Sequence, residues 1–214
     1  MKNANEIATK IVENANNLQT EIGILEGEFE RTDFFGDNSN FPYAHFGYMM
    51  AAMGQIDLMS VCAAGHTNEN QTKRMTNFLK RYYDDANKVL EHEVVIQLFR
   101  HSLMHTGGLP YIRDPDTNIV YTWRLYFREL PVPSQHYTLT DSDLSEQPEL
   151  SAAVTPAPAG VKVINISIPA FAADIRRIAE QYTKTMLADS TGTLAANCEK
   201  IYPTALLQPI KRKK

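Results

Sequence analysis

The sequence predicts a mainly helical fold: an antiparallel bundle of four to five helices, with a small antiparallel β-sheet inserted before the last helix. Apolar residues recur at three- and four-residue spacing over most of the chain, and this is the pattern of amphipathic helices. Over one stretch near residue 120 the spacing changes to two, as in a half-buried strand. Short connections between the middle helices favour antiparallel neighbours.

Four helices are predicted ahead of the sheet. They cover the ranges 4–30, 42–65, 69–86 and 88–106. A stretch rich in Asp, Asn and Gly, RTDFFGDNSNFPY, separates the first two. Gly107 and Gly108 end the fourth helix, and Pro110 prevents it from resuming.

Two of these helices carry patterns that have both a structural and a functional interpretation. The second has a methionine stripe that includes Met49, Met53 and Met59, which is typical of adaptable core filling and less often of a ligand groove. The third has four basic residues that are predicted to lie on a solvated face, with RNA contact as the alternative. These are Lys73, Arg74, Lys80 and Arg81.

The predicted β element occupies residues 118–168 as an insertion in a single domain that covers residues 1–214. In NIVYTWRLYFREL every second residue is apolar, SQHYTLTD is a shorter partner strand, and VKVINIS is a third strand. Between the last two, residues 141–160 are rich in proline, alanine and acidic residues, so we expect a flexible loop. Ser167 and Pro169 then open the final helix, as a cap residue and a first-turn proline.

Composition narrows the function classes. The net charge of −4 and the pI of 5.9 lack the basic excess that accompanies a wide grip on nucleic acid, so any such contact is expected to be local. No stretch predicts a secretory signal or a membrane span. Cys62 and Cys198 form neither a disulfide framework nor a metal spacing, and two reduced thiols suit the cytoplasm.

The sequence RHSLMH, residues 100–105, holds the densest chemistry in the chain. His101 and His105 are four residues apart, which is a known metal-ligand spacing on a helix. The metalloprotease version requires Glu after the first His, but this chain has Ser102, and no carboxylate lies within a turn on that face. We therefore expect neither a metal nor another cofactor.

Arg100 and His105 favour a different chemistry. Cleavage of RNA by its own 2′-hydroxyl needs a base, an acid and positive charge on the phosphate. Histidine serves as base or acid near neutral pH, and arginine binds phosphate with a forked geometry. The two residues lie about 140° apart around a helix, so they converge only if the helix loosens or if the site forms between two subunits.

Arg100-His101-x-x-x-His105 resembles the signature of the HEPN family, Arg-polar-x-x-x-His on a helix of a small bundle. The polar second position is commonly Asn, Asp or His, which His101 fits. The apolar lead-in VVIQLF and the position of the motif near a helix end are similar as well. The resemblance covers residues 40–108 and, more loosely, the last helix, whereas the insertion at 118–168 lies outside it.

This resemblance implies a helical bundle that forms a homodimer across the motif and cleaves RNA without a metal, leaving a cyclic phosphate. Arg100 and His105 are then the catalytic residues and His101 supports them. It also implies a role as a toxin, with an antitoxin protein as a further partner, or as an antiviral-defence effector. Two alternatives stay open: a non-catalytic HEPN-like module that binds RNA or protein, and an Arg/His group that only caps a helix end.

Overall fold

The computed structural model describes residues 3–31, 42–83, 89–99, 111–126, 137–142 and 156–206. Within these ranges it contains six helices and four strands. The helices are α1 (Ala4–Arg31), α2 (Pro42–Ala64), α3 (Gln71–Tyr82), α4 (Val89–Gln97), α5 (Ile168–Ala188) and α6 (Thr193–Leu206). The strands are β1 (Tyr111–Arg113), β2 (Ile119–Tyr126), β3 (Tyr137–Ser142) and β4 (Gly160–Ser167). The predicted class, a mainly helical fold with a small inserted sheet, is confirmed.

The helices share one hydrophobic core. α1 packs along α5, α2 packs along α6, and α3 lies between α2 and α4. The methionine stripe of α2 fills this core, because Met49, Met53 and Met59 are all buried. Phe78 and Tyr82 of α3 pack against Tyr182 of α5 with ring centroids 5.4 and 5.3 Å apart. Such edge-to-face aromatic pairs join the α3–α4 side of the bundle to its centre.

The four strands form a sheet in the order β1-β2-β4-β3. β1 pairs antiparallel with β2, β2 pairs parallel with β4, and β3 pairs antiparallel with β4. β4 leads directly into α5: the Ser167 side chain accepts a hydrogen bond of 3.3 Å from the backbone N–H of Ala170, and a proline lies in the first turn. The predicted helix start at Ser167 and Pro169 is therefore confirmed.

The prediction of an antiparallel sheet is wrong for its central pair, because β2 and β4 run in the same direction. Side-chain alternation reports burial and carries no information about direction. The direction depends on the connection, and residues 127–159 are long enough to return the chain to the same end of the sheet.

The sheet also has different limits from the predicted 118–168 insertion. It begins at Tyr111, since β1 forms a three-residue strand that is too short for a periodic signal. The predicted loop at 141–160 is wrong at both ends. Asp141 and Ser142 pair with β4, and Gly160 is the first residue of β4. Residues 143–155 of that loop lie outside the described residues.

The final helix, α6, is the sixth in the described residues, whereas four to five helices were predicted. Its sequence, TLAANCEKIYPTAL, contains Pro203, and proline usually interrupts a helix because it has no N–H and its ring clashes with the preceding turn. α6 also contacts the start of α1: the Glu199 carboxylate accepts a 2.8 Å hydrogen bond from the backbone N–H of Ala4. No helix in the described ranges is both long enough and apolar enough to cross a lipid bilayer.

Candidate functional site

The three residues of the predicted catalytic group, Arg100, His101 and His105, lie outside the described residues. The helix that leads to them is described. The α4 side chains Val94 and Val95 are buried, and so are Leu98 and Phe99, which follow the helix directly. The apolar character of the lead-in VVIQLF is therefore confirmed as buried packing, and Arg100 is the residue that follows it in the chain.

A polar groove lies between α3 and the opposite, exposed face of α4. Its volume is about 560 Å³. All its described lining residues are polar or charged: Asn70, Thr72, Lys73, Thr76, Asn77, Lys80, Glu93 and Gln97. An apolar ligand needs an apolar lining, so this groove suits a ligand that is itself polar or charged.

One helical stripe forms the α3 wall of the groove. Lys73 and Lys80 are seven residues apart, so they lie on the same face of α3 with about 10 Å between their Cα atoms. Both side chains are exposed. Asn70 caps the helix, and its side-chain oxygen accepts a 3.3 Å hydrogen bond from the N–H of Lys73. This wall therefore presents two ammonium groups at a defined spacing, and that of Lys73 lies 4.0 Å from the Glu69 carboxylate.

The α4 wall of the groove has different chemistry. The Gln97 side-chain amide donates a 3.0 Å hydrogen bond to the Glu93 carboxylate, one helical turn earlier. This bond orients the amide of Gln97 and leaves a negative charge on the α4 side. Thr76 also lines the groove. It is 5% exposed, and its hydroxyl is buried from solvent and has no hydrogen-bond partner in the described part of the chain.

A buried ion pair holds α3 in place beneath the groove. Arg74 is 6% exposed, so the prediction that it lies on the solvated face is wrong. Its guanidinium pairs with the Asp57 carboxylate of α2 at 2.8 Å and donates a 3.2 Å hydrogen bond to the Ser60 hydroxyl. Gln71 donates to the other Asp57 oxygen at 2.8 Å. Arg74 is thus committed to packing between helices, whereas Lys73 and Lys80 remain at the surface.

A second polar group fixes the end of α3 against α4 and α5. The Tyr83 hydroxyl donates a 3.5 Å hydrogen bond to the Asp174 carboxylate, which also pairs with Arg177. The ring of Tyr83 meets the ring of His92 edge to face, with centroids 4.8 Å apart. Since His92 is fully buried in α4, this contact sets the position of the helix that precedes Arg100.

The two cysteines are both fully buried and reduced, in agreement with the predicted thiols. A hydrogen bond with Cys198 and, next, burial raise the pKa of Cys62 well above its ordinary range. A thiol kept protonated in this way is a poor nucleophile. The same hydrogen bond lowers the pKa of Cys198, and the pair joins α2 to α6.

The described residues also bear on metal binding. They contain no group of three or more His, Cys, Asp or Glu side chains placed to hold a metal ion. Of the histidines outside the motif, His66 is exposed and His92 is buried in the core. The side chain of His45 lies outside the described residues.

The sequence did not reveal the groove, although part of its signal was there. Asn70 and Asn77, like Lys73 and Lys80, repeat at seven residues along α3, and that spacing marks a common face. On the α4 wall, Glu93 and Gln97 form a second pair, and they are four residues apart. Only the packing of the two helices shows that these stripes face each other.

A comparison with protein-family models, with curated proteins and with solved structures finds no match.

Proposed function

We propose that the protein is a metal-independent endoribonuclease of the HEPN type, with Arg100 and His105 as its catalytic residues. The observation that carries this proposal is the polar groove along α4. Its last residue on that helix, Gln97, precedes Arg100 by three positions. In the chain, the motif thus comes directly after a helix that lines this groove. The lining of the groove suits a charged, hydrogen-bonding polymer.

In the proposed mechanism the histidine works as base or acid on the substrate's own nucleophile. His105 takes the proton of the ribose 2′-hydroxyl, and the 2′-oxygen attacks the adjacent phosphorus. The bond to the 5′-oxygen breaks, and the leaving oxygen receives a proton from an acid, for which a second copy of His105 in a homodimer is the natural source. Arg100 binds the phosphate oxygens as their charge grows, and His101 orients His105 or contacts the phosphate.

The proposed setting is cytoplasmic, with the protein acting as a toxin that a partner antitoxin restrains, or as an antiviral-defence effector. The inserted sheet flanks the end of the helix that leads to the motif. Trp123 of β2 lies 6.1 Å from Phe99, measured between ring centroids.

Cleavage of RNA in excess EDTA tests the proposal. Wild-type protein should yield fragments with cyclic-phosphate ends, and Arg100→Ala or His105→Ala should reduce the rate by about 100-fold or more, as expected for loss of a charge clamp or a general acid–base group. His66→Ala is the matched control, because His66 is an exposed histidine outside the motif.

The proposal fails if wild-type protein leaves RNA intact, or if both motif variants cut as fast as the His66 control. Binding of RNA without cleavage favours the second candidate, a non-catalytic HEPN-like binding module, because the groove supplies binding groups on its own. Activity that depends on added divalent metal instead supports the His101/His105 metal site.

A further inference from the structure

We infer that the groove between α3 and α4 binds a single strand of RNA, with its phosphates on the α3 wall and its riboses or bases on the α4 wall. The inference rests on the proposed function for its choice of polymer. It adds a strand-binding site, formed by Lys73, Lys80, Glu93 and Gln97, that is separate from the catalytic motif.

The charges of the two walls determine the orientation of the strand. Lys73 and Lys80 bring two ammonium groups to one side, and phosphates are their natural partners. Lys73 lies 4.0 Å from the Glu69 carboxylate, a surface pair that a phosphate has to displace or share. Glu93, on the other side, repels phosphate and accepts hydrogen bonds from ribose 2′-hydroxyls or base amino groups. Gln97, held by Glu93 at 3.0 Å, offers a carboxamide that can pair with a base edge.

The lining also favours a strand over other polar ligands. The two lysines lie about 10 Å apart along α3, which suits two phosphates of one chain better than one compact anion. The described lining has no aromatic side chain for bases to stack on. Binding should therefore depend on phosphate contacts and hydrogen bonds, and it should weaken strongly as salt rises.

The test measures RNA binding without cleavage. A fluorescently labelled single-stranded RNA is titrated with His105→Ala protein in EDTA, and binding is followed by anisotropy over a range of salt concentrations. Adding Lys73→Ala and Lys80→Ala should weaken binding at least tenfold. It should also flatten the slope of log K against log salt by about 1.4, or about 0.7 for each phosphate of a single strand that the protein no longer neutralises.

Two further variants make the test specific. Lys10→Ala with Lys184→Ala removes the same charge from exposed positions outside the groove and should change affinity less than twofold. Thr76→Val keeps the side-chain shape and removes a hydroxyl that is buried away from the groove surface, so it should also change the affinity for RNA less than twofold. Its stability should match or exceed that of the parent, because an unpartnered buried hydroxyl is gone.

The outcomes separate this inference from the proposed function. If the groove lysines are required for binding but wild-type protein never cuts RNA, the groove assignment stands and the nuclease proposal falls. If wild-type protein cuts RNA but the groove variants bind like the Lys10/Lys184 control, the groove assignment is overturned and the nuclease remains. Failure of the His105→Ala protein to bind any RNA also overturns the groove assignment.

Discussion

Gly65 shows how one residue fixes the contact between two helices. It follows α2 with φ of +73°, a left-handed conformation that glycine adopts without strain. A Cβ atom at this position would lie 2.3 Å from the Asn197 Oδ1 atom of α6. Asn197 cannot easily move away, because its side-chain amide donates a 3.2 Å hydrogen bond to the carbonyl of Ala63. Both the backbone and the neighbouring helix therefore require glycine here.

Replacing Gly65 with alanine should destabilise the protein by about 2 to 3 kcal/mol, from the left-handed backbone and the displaced Asn197 amide together. Gly54→Ala is the matched control. Gly54 lies inside α2, and an added Cβ would meet no atom within 4 Å in the described part of the chain. That substitution should stabilise the protein by about 0.5 to 1 kcal/mol.

Urea unfolding of the two glycine variants measures both effects. The midpoint should fall for Gly65→Ala and rise for Gly54→Ala, with the same dependence on urea in each. Equal shifts in the same direction would contradict the distinct roles assigned to the two glycines.

Single residues also show where sequence patterns stop being informative. Arg74 is flanked by residues that form a regular exposed stripe, so the pattern predicted a solvated arginine. Its burial depends on Asp57 and Ser60, which belong to another helix and are 17 and 14 residues away. A helical pattern shows which face a residue lies on. It does not show whether a partner lies on the neighbouring element.

At the scale of elements, the turn between α5 and α6 depends on one carboxylate. Asp189 accepts hydrogen bonds from the backbone N–H of Leu194 at 3.0 Å and from the Thr191 hydroxyl at 2.7 Å. These bonds, the one from Leu194 first, hold the pKa of Asp189 below its ordinary value of 3.8. The charged side chain thus satisfies donors at the start of α6 that the helix leaves open.

Removal of the Asp189 carboxylate should make the free energy of unfolding depend less on pH in the acid range. The pKa of Asp189 is lowered in the folded state. Its contribution to the free energy of unfolding is therefore fully present above the pKa of the unfolded state, and it is lost as pH falls through the pKa of the folded state. Asp189→Ala should therefore lower the urea midpoint near neutral pH. Its difference from wild type should shrink as pH falls below about 3.8 and through the lowered folded-state pKa.

Asp116→Ala is the comparison for this acid titration, since Asp116 is an exposed aspartate in the β1–β2 turn. Its midpoint should follow that of wild type at every pH. A difference between Asp189→Ala and wild type that stays constant from neutral to acid pH would show that Asp189 acts through packing and not through its charge.

The elements themselves were predictable to different degrees. Four helices ahead of the sheet and the start of α5 follow from apolar spacing and a capping serine, which are local properties of the chain. The direction of β4 relative to β2 and the existence of α6 depend on packing between distant segments. The candidate groove belongs to this second kind, because its two walls are separately periodic and become a site only when α3 and α4 meet.

At the scale of the whole molecule, the buried thiols provide a probe of cooperativity. Cys62 belongs to α2 and Cys198 to α6, and each is fully buried. A thiol reagent can reach them only when the structure opens. If the bundle unfolds as one unit, both cysteines should react at the same rate, equal to the rate of global unfolding when labelling is fast.

Mass spectrometry of partly labelled protein checks this expectation. Unlabelled and doubly labelled molecules should be the main species throughout the reaction. Build-up of a singly labelled form carrying its modification on Cys198 would contradict it, since this would mean that α6 detaches while α2 remains folded.

The position of β4 in the sheet has a consequence for biosynthesis. β4 is the inner strand that joins β2 to β3, and it continues into α5, the helix against which α1 packs. Neither the sheet nor the α1–α5 pair can close until residues after Gly160 have left the ribosome. At 5–20 residues per second, the earlier segments wait for roughly ten to thirty seconds with those apolar faces uncovered that later pack on β4 and α5. The nascent chain therefore commits to its fold late, and it depends during that interval on whatever shields it from other chains.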